Sequence, residues 1–215
     1  VVLSEKFQEK HPCHLLVLSP PEMDCNFCGC VAGTPNPAQR RAELLVRRII
    51  RSFEDPDAIG CYTDGIVPGG DYAMADTNRV YLTGYSYGGD AVIRVAMAHP
   101  GEFAAVVPIS SGVTPPEFVS EMHPGNFWYA CNDGDGVGSG RAFNAVKTLQ
   151  ERVNKFGGDF RISVYPATSG HDAWNAAWNE ESIWDWMFSK SLSAPVKKVK
   201  QMKQNVNAKR SSASL

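Results

Sequence analysis

The stretch Arg79-Val-Tyr-Leu-Thr-Gly84-Tyr85-Ser86-Tyr87-Gly88-Gly89-Asp90 constrains the fold of this chain more than any other. Val80 to Thr83 is a short apolar, β-rich run ending at glycine, the pattern of a buried strand. From Ala91 to Ala98 the periodicity turns helical, with Ala91, Val92, Val95 and Ala96 on one face, and His99-Pro100-Gly101 stops it. Between strand and helix lies Gly84-x-Ser86-x-Gly88, the spacing of a nucleophile elbow. A serine on so tight a turn has strained backbone angles, and a Cβ at either glycine is expected to collide with neighbouring backbone. The Ser86 hydroxyl then stands above the sheet, and the Tyr87 N–H at the helix start faces the place where an oxyanion forms. The pentapeptide alone is common by chance. Its flanking strand and helix give it meaning.

On either side of this unit, strands alternate with helices. Leu3 to Lys10 reads as the tail of a helix, and His14-Leu-Leu-Val-Leu-Ser19, ended by Pro20-Pro21, as a buried parallel strand. After a Gly/Pro/Asn loop through Pro37, apolar Ala42, Leu45, Val46, Ile49, Ile50 and Phe53 predict a helix over 38–53, its arginines opposite. Asp55 to Ala75 is loop-like, and its place between a helix end and a strand start sets it at the amino ends of the strands. Phe103 to Ile109 is the next strand, Thr114 to Gly125 an irregular crossover, and Asn126 to Cys131 a further strand, with a loop from Asn132 to Gly140. Arg141 to Phe156 reads as a helix closed by Gly157-Gly158, Phe160 to Tyr165 as the last strand, and tryptophan-rich helices run to about Lys190. This alternation predicts an α/β protein with a mostly parallel sheet flanked by helices, one domain over 1–190.

The formal charge of −2 argues against a dedicated nucleic-acid binder. It conceals an asymmetry: residues 190–215 carry seven cationic side chains and no acid, so the body before them is net −9. The 191–215 segment, lysine-rich and without periodicity, is expected to be a disordered basic tail. No apolar run approaches the length of a membrane span, so no membrane partner is expected. No signal peptide is visible, and the compartment stays open because the chain begins at Val1.

In a sheet of this kind ligands bind beyond the carboxyl ends of the strands. That edge carries Ser86, the loop with Asp133 and Asp135, and the loop with His171. A serine hydroxyl needs a base to take its proton, imidazole titrates near neutrality, and a carboxylate fixes the imidazole tautomer. The chain order Ser, Asp, His, each just past a strand, is the order that the α/β-hydrolase arrangement uses. His11, His14, His99 and His123 lack that context and read as surface or packing residues.

Arg79-Val-Tyr-Leu-Thr-Gly-Tyr-Ser-Tyr-Gly-Gly89, Phe103-Ala-Ala-Val-Val-Pro-Ile109 and Gly170-His-Asp-Ala-Trp174 together resemble the α/β-hydrolase branch often labelled "predicted peptidase". That branch is similar to feruloyl esterases, acetyl xylan esterases and poly(3-hydroxybutyrate) depolymerases, and the resemblance covers about residues 10–190. It implies a serine hydrolase of carboxylic esters, small or polysaccharide-linked, with no metal and no cofactor. Ser86 is then the nucleophile, His171 the base, Asp135 the acid with Asp133 as fallback, and the Tyr87 N–H an oxyanion donor. Tyr85 and Trp174 are the candidate substrate contacts. The branch's acid loop usually reads His-Gly-x-x-Asp-Pro-Val; here it is Cys131-Asn-Asp-Gly-Asp-Gly-Val137. The resemblance also implies strands before His14 and a His-Gly-x-Gly-like turn giving a second oxyanion donor, and neither is present in this sequence. The expectation is a copy incomplete at its N-terminus, or a degenerate one, lacking the first strands of the sheet.

Other features carry less. Cys25-x-x-Cys28-x-Cys30 needs a fourth ligand from Cys13, Cys61 or a histidine to hold a metal, and reads as ordinary loop thiols. Asn132-Asp-Gly-Asp-Gly136 lacks the closing glutamate of a calcium loop, Asn144 standing there. Trp178, Trp184 and Trp186 read as core. Two rival functions remain: a non-catalytic protein of the same fold, and a serine peptidase. An ester assay separates the first from an enzyme. Oligomeric state is open.

Overall fold

The computed structural model describes residues 1–17, 76–112, 125–136, 143–166 and 170–192. The expected thiol cluster at 25–30, the 38–53 helix, the 55–75 loop, most of the 114–125 crossover and the basic tail lie outside the described residues.

Four parallel strands form one sheet in the order β1 (Tyr81–Tyr85), β2 (Ala105–Ile109), β3 (Asn126–Asn132), β4 (Asp159–Tyr165). Helix α1 is Glu5–Lys10, α2 is Tyr87–Ala98 between β1 and β2, and α3 is Phe143–Lys155 between β3 and β4. Helices α4 (Ala173–Asn179) and α5 (Glu181–Phe188) follow β4. Tyr85 pairs with Ile109 across β1 and β2, and Asn132 pairs with Tyr165 across β3 and β4, so the strand ends align at one rim.

Alternation along the strands divides the core into two layers. Ala105, Val107, Ile109, Trp128 and Ala130 face α1, α4 and α5, where Phe7, Ile183, Trp184, Trp186 and Met187 meet them. Val106, Phe127, Tyr129 and Cys131 face the other way, against Ala96 of α2 and Val146, Leu149 and Val153 of α3. Because β2 and β3 are covered on both faces, their sequences are continuous apolar runs. Ser4 caps α1, its Oγ accepting from Phe7 N at 3.3 Å, and Phe7 wedges edge-on against Trp184 at 5.1 Å between ring centres. Trp186 packs edge-on against Trp128 at 5.4 Å, and its Nε1 donates to Asp159 at 2.7 Å. Lys190 and Arg161 also bind that carboxylate, which ties the end of α5 to the start of β4.

One expectation fails here. Residues 14–17 are not in a strand, and Leu15, Leu16 and Val17 are exposed at 47%, 50% and 75%. An apolar run becomes a strand only by lateral pairing, and no described strand runs beside it. The elbow helix begins at Tyr87, as expected, and the apolar periodicity starts only at Ala91 because Gly88 and Gly89, poor helix formers, occupy its first turn. Among the described residues β1 has a neighbour on one side only. The remaining strands and helices lie within two residues of the expected bounds.

Candidate active site

Ser86 sits at the junction of β1 and α2 with φ 55° and ψ −118°, a left-handed conformation unfavourable for a residue with a Cβ. The position is the N-cap of α2. A serine there ordinarily turns its oxygen onto the helix amides, a bond typically worth about 1 kcal/mol. Ser86 makes no such cap. Its Oγ lies instead 2.8 Å from His171 Nε2. Its backbone N–H donates to Ile109 O at 2.8 Å, fixing the turn to the end of β2.

The glycines divide the work differently from the sequence expectation. A Cβ at Gly84 would lie 2.3 Å from Gly88 O and 2.5 Å from Gly88 C, both backbone atoms that cannot swing aside. At Gly88 a Cβ meets nothing within 4 Å, which corrects the symmetrical expectation. The second close approach belongs to Gly89, where a Cβ would stand 2.9 Å from Ile109 O. Gly84→Ala is therefore expected to destabilise the protein by about 3 kcal/mol, the upper range for overpacking. Gly88→Ala, which reduces backbone entropy of the unfolded chain, is expected to be neutral or slightly stabilising. Urea melts of the two variants check this, and matching midpoints would contradict it.

His171 follows β4 and precedes α4. Its Nδ1 lies 3.0 Å and 3.1 Å from the two oxygens of Asp135. A carboxylate accepts only, so Nδ1 carries the proton and Nε2 presents its lone pair to Ser86. The Asp135 side chain is fully buried, whereas that of His171 is about one-third exposed. Asp135 follows Gly134, which takes φ +75° and turns the chain back under the imidazole. Asp133 is exposed on the same turn, its N–H donating to Tyr165 O at 2.7 Å. Of the two acids in that loop, Asp135 is the one brought to His171.

Tyr87 opens α2, so its N–H has no acceptor within the helix. Tyr85 is the last residue of β1, and its hydroxyl donates to His171 O at 3.0 Å. Trp174 on α4 is exposed and packs edge-on against Trp178, 5.7 Å away. The neighbouring Cys131 thiol is pushed up to about 12 by burial, with Asp135 and Asp133 adding to the rise, so it packs as an apolar group. A cleft of about 380 Å³ lies between the ends of β3 and β4 and helix α4, lined by Asn132, Tyr165, Pro166, Asp172, Asn175, Ala176 and Asn179; Ser86 and His171 do not line it. Among the described residues no cluster of His, Cys, Asp or Glu is arranged to hold a metal ion, and no helix is long and apolar enough to cross a membrane.

Three contributors are invisible in the sequence pattern. Asp90, buried on the first turns of α2, accepts from Ser111 Oγ at 2.5 Å and Gly112 N at 2.9 Å. Tyr129 OH donates to Ser111 O at 2.6 Å, so the exit of β2 is pinned from α2 and β3 together. Asn132, at the end of β3, donates through Nδ2 to Gly170 O at 3.0 Å. An amide or a phenol at a strand end carries no signal until its partner is known.

No protein-family model matches the chain, and no curated protein sequence does. Among solved structures it is similar to a thermostable esterase, 23% identical over 70% of this chain and 37% of that one, with a TM-score of 0.53. SOBER1 of Arabidopsis thaliana is 17% identical over 72% of this chain and 65% of that one, TM-score 0.46. The S-formylglutathione hydrolase FrmB of Staphylococcus aureus is 14% identical over 70% and 65%, TM-score 0.39. The chain spans about a third of the first protein's length and about two thirds of the others'. The likeness to the thermostable esterase, with the parallel sheet and its flanking helices, establishes an α/β-hydrolase fold.

Proposed function

We propose that this chain is a serine hydrolase acting on carboxylic esters, with Ser86 as nucleophile, His171 as general base and acid, and Asp135 as its orienting carboxylate. The observation that carries the reading is the unbroken line of hydrogen bonds from Ser86 Oγ through both imidazole nitrogens to a buried carboxylate. Strain at Ser86 and burial of Asp135 both oppose folding, which favours a working site over a remnant.

His171 Nε2 takes the Ser86 proton as Oγ bonds to the ester carbonyl carbon, and Asp135 stabilises the resulting imidazolium. The carbonyl oxygen becomes an oxyanion facing the Tyr87 N–H at the positive end of α2. Collapse breaks the bond to the alcohol, which leaves with the proton from Nε2. Water then repeats the sequence on the acyl-enzyme and frees the acid.

The substrate class proposed is a small or polysaccharide-linked ester, and exposed Trp174 on α4, three residues after His171, offers a stacking face. A fluorophosphonate tests the reading, because it reacts with a serine only where the hydroxyl is activated. The expected result is a single adduct on Ser86, mapped by peptide mass spectrometry, with parallel loss of p-nitrophenyl acetate hydrolysis. Absence of both labelling and hydrolysis would leave a non-catalytic protein of this fold.

A further inference from the structure

The imidazole of His171 is held by side chains from two strand ends, and the same two strand ends also grip the backbone that carries it. β1 reaches the ring through Ser86, the residue after its end, and reaches the His171 carbonyl through the hydroxyl of Tyr85, its last residue. β3 reaches the ring through Asp135 and reaches the Gly170 carbonyl through Nδ2 of Asn132, its last residue. Gly170 itself takes φ +63°, a conformation that leaves its carbonyl turned toward Asn132.

We infer that Tyr85 and Asn132 are positioning residues for the general base: they clamp two successive carbonyls of the 170–171 turn, so that the imidazole is fixed between Ser86 and Asp135. This inference rests on the hydrolase reading for its kinetic consequence, though not for its structural one. It also gives Tyr85 a role different from the substrate contact expected from the sequence.

The supporting details agree. Asn132 is almost fully buried at 2% exposure, and its register opposite Tyr165 fixes where its amide can point. The Tyr85 ring lies 5.2 Å from the imidazole, tilted at 38°, so the phenol also walls one side of it. Burial, then the charges of Asp172 and Asp135, hold the Tyr85 phenol above its ordinary range, so it stays a donor through alkaline pH. Among the described residues the backbone tie left without the clamp is Ala173 N to His171 O at 3.1 Å, which fixes the start of α4 but not its tilt toward β1 and β3. Misplacing a catalytic group by about 1 Å costs on the order of 10²-fold in rate.

Tyr85→Phe removes one hydroxyl and leaves the ring, and Asn132→Ala removes the other donor. Each is expected to lower kcat on p-nitrophenyl acetate about 10-fold with KM unchanged, and the two together about 10²-fold or more, because either clamp alone partly holds the turn. Proton NMR supplies a readout independent of turnover: the downfield Nδ1–H resonance of His171 should broaden in each variant. If Asn132→Ala fails to fold, Tyr85→Phe alone carries the test. A wild type without esterase activity whose resonance still broadens on Tyr85→Phe would uphold the clamp and overturn the hydrolase reading. A well-folded Tyr85→Phe with an unchanged resonance and kcat within about 2-fold of wild type would overturn the clamp.

Discussion

Replacing Ser86 by alanine is expected to lower kcat on a short-chain chromogenic ester by about 10⁴-fold or more, and His171→Ala by a similar factor. The double variant should fall no further. The reason is the 2.8 Å contact between Ser86 Oγ and His171 Nε2. A hydroxyl without its base is almost entirely un-ionised at neutral pH, and a base without the hydroxyl has no proton to take, so removing either abolishes the same step. What remains in all three variants is the Tyr87 N–H and the binding of substrate, and their residual rates should therefore coincide. Initial rates with p-nitrophenyl acetate, normalised to folded protein by circular dichroism, measure this. Equal rates for wild type and Ser86→Ala would remove the enzyme reading. Additive losses in the double variant would mean that the two side chains do not act as one unit.

How much of this was legible beforehand depends on whether a residue's role is set locally or by a distant partner. β2 and β3 could be read because a strand covered on both faces has to be apolar at every position, and Ala105 to Ile109 is fully buried. The convergence of Ser86, Asp135 and His171 could be read because each follows a strand at the same rim, which sequence order alone implies once the sheet is parallel. Leu15, Leu16 and Val17 show the converse. Their composition suits a strand, but pairing is a property of the neighbour, and apolarity does not supply one. The glycines make the same point at atomic scale: Gly88 belongs to the motif and Gly89 does not, yet the contact with Ile109 O is made at Gly89. Trp184 and Trp186, only two apart on α5, are both buried because one meets Phe7 of α1 and the other Trp128 of the sheet. Their reading as core therefore holds, while the two separate partners that bury them become visible only in the fold.

The choice between the two acids of the 132–136 turn gives the second large effect. Asp135→Asn is expected to lower kcat about 10⁴-fold with little change in stability, and Asp133→Asn to leave it within about 3-fold. Asp135 is buried and places both oxygens near His171 Nδ1, so it admits one tautomer only, with the proton on Nδ1 and the lone pair on Nε2. An asparagine in the same space can present its amide nitrogen instead. That donor holds the proton on Nε2, and the ring then faces Ser86 as a donor where an acceptor is needed. The loss also removes the negative charge that stabilises the imidazolium, so the remaining activity should rise with pH as hydroxide takes over the base's task. Asp133, exposed and with its backbone N–H on Tyr165 O of β4, does not reach His171. Rates for both variants across pH 5 to 9, beside their urea midpoints, decide the matter. A large loss at Asp133 with Asp135→Asn near wild type would assign the carboxylate to the exposed position and refute the geometry described for this turn.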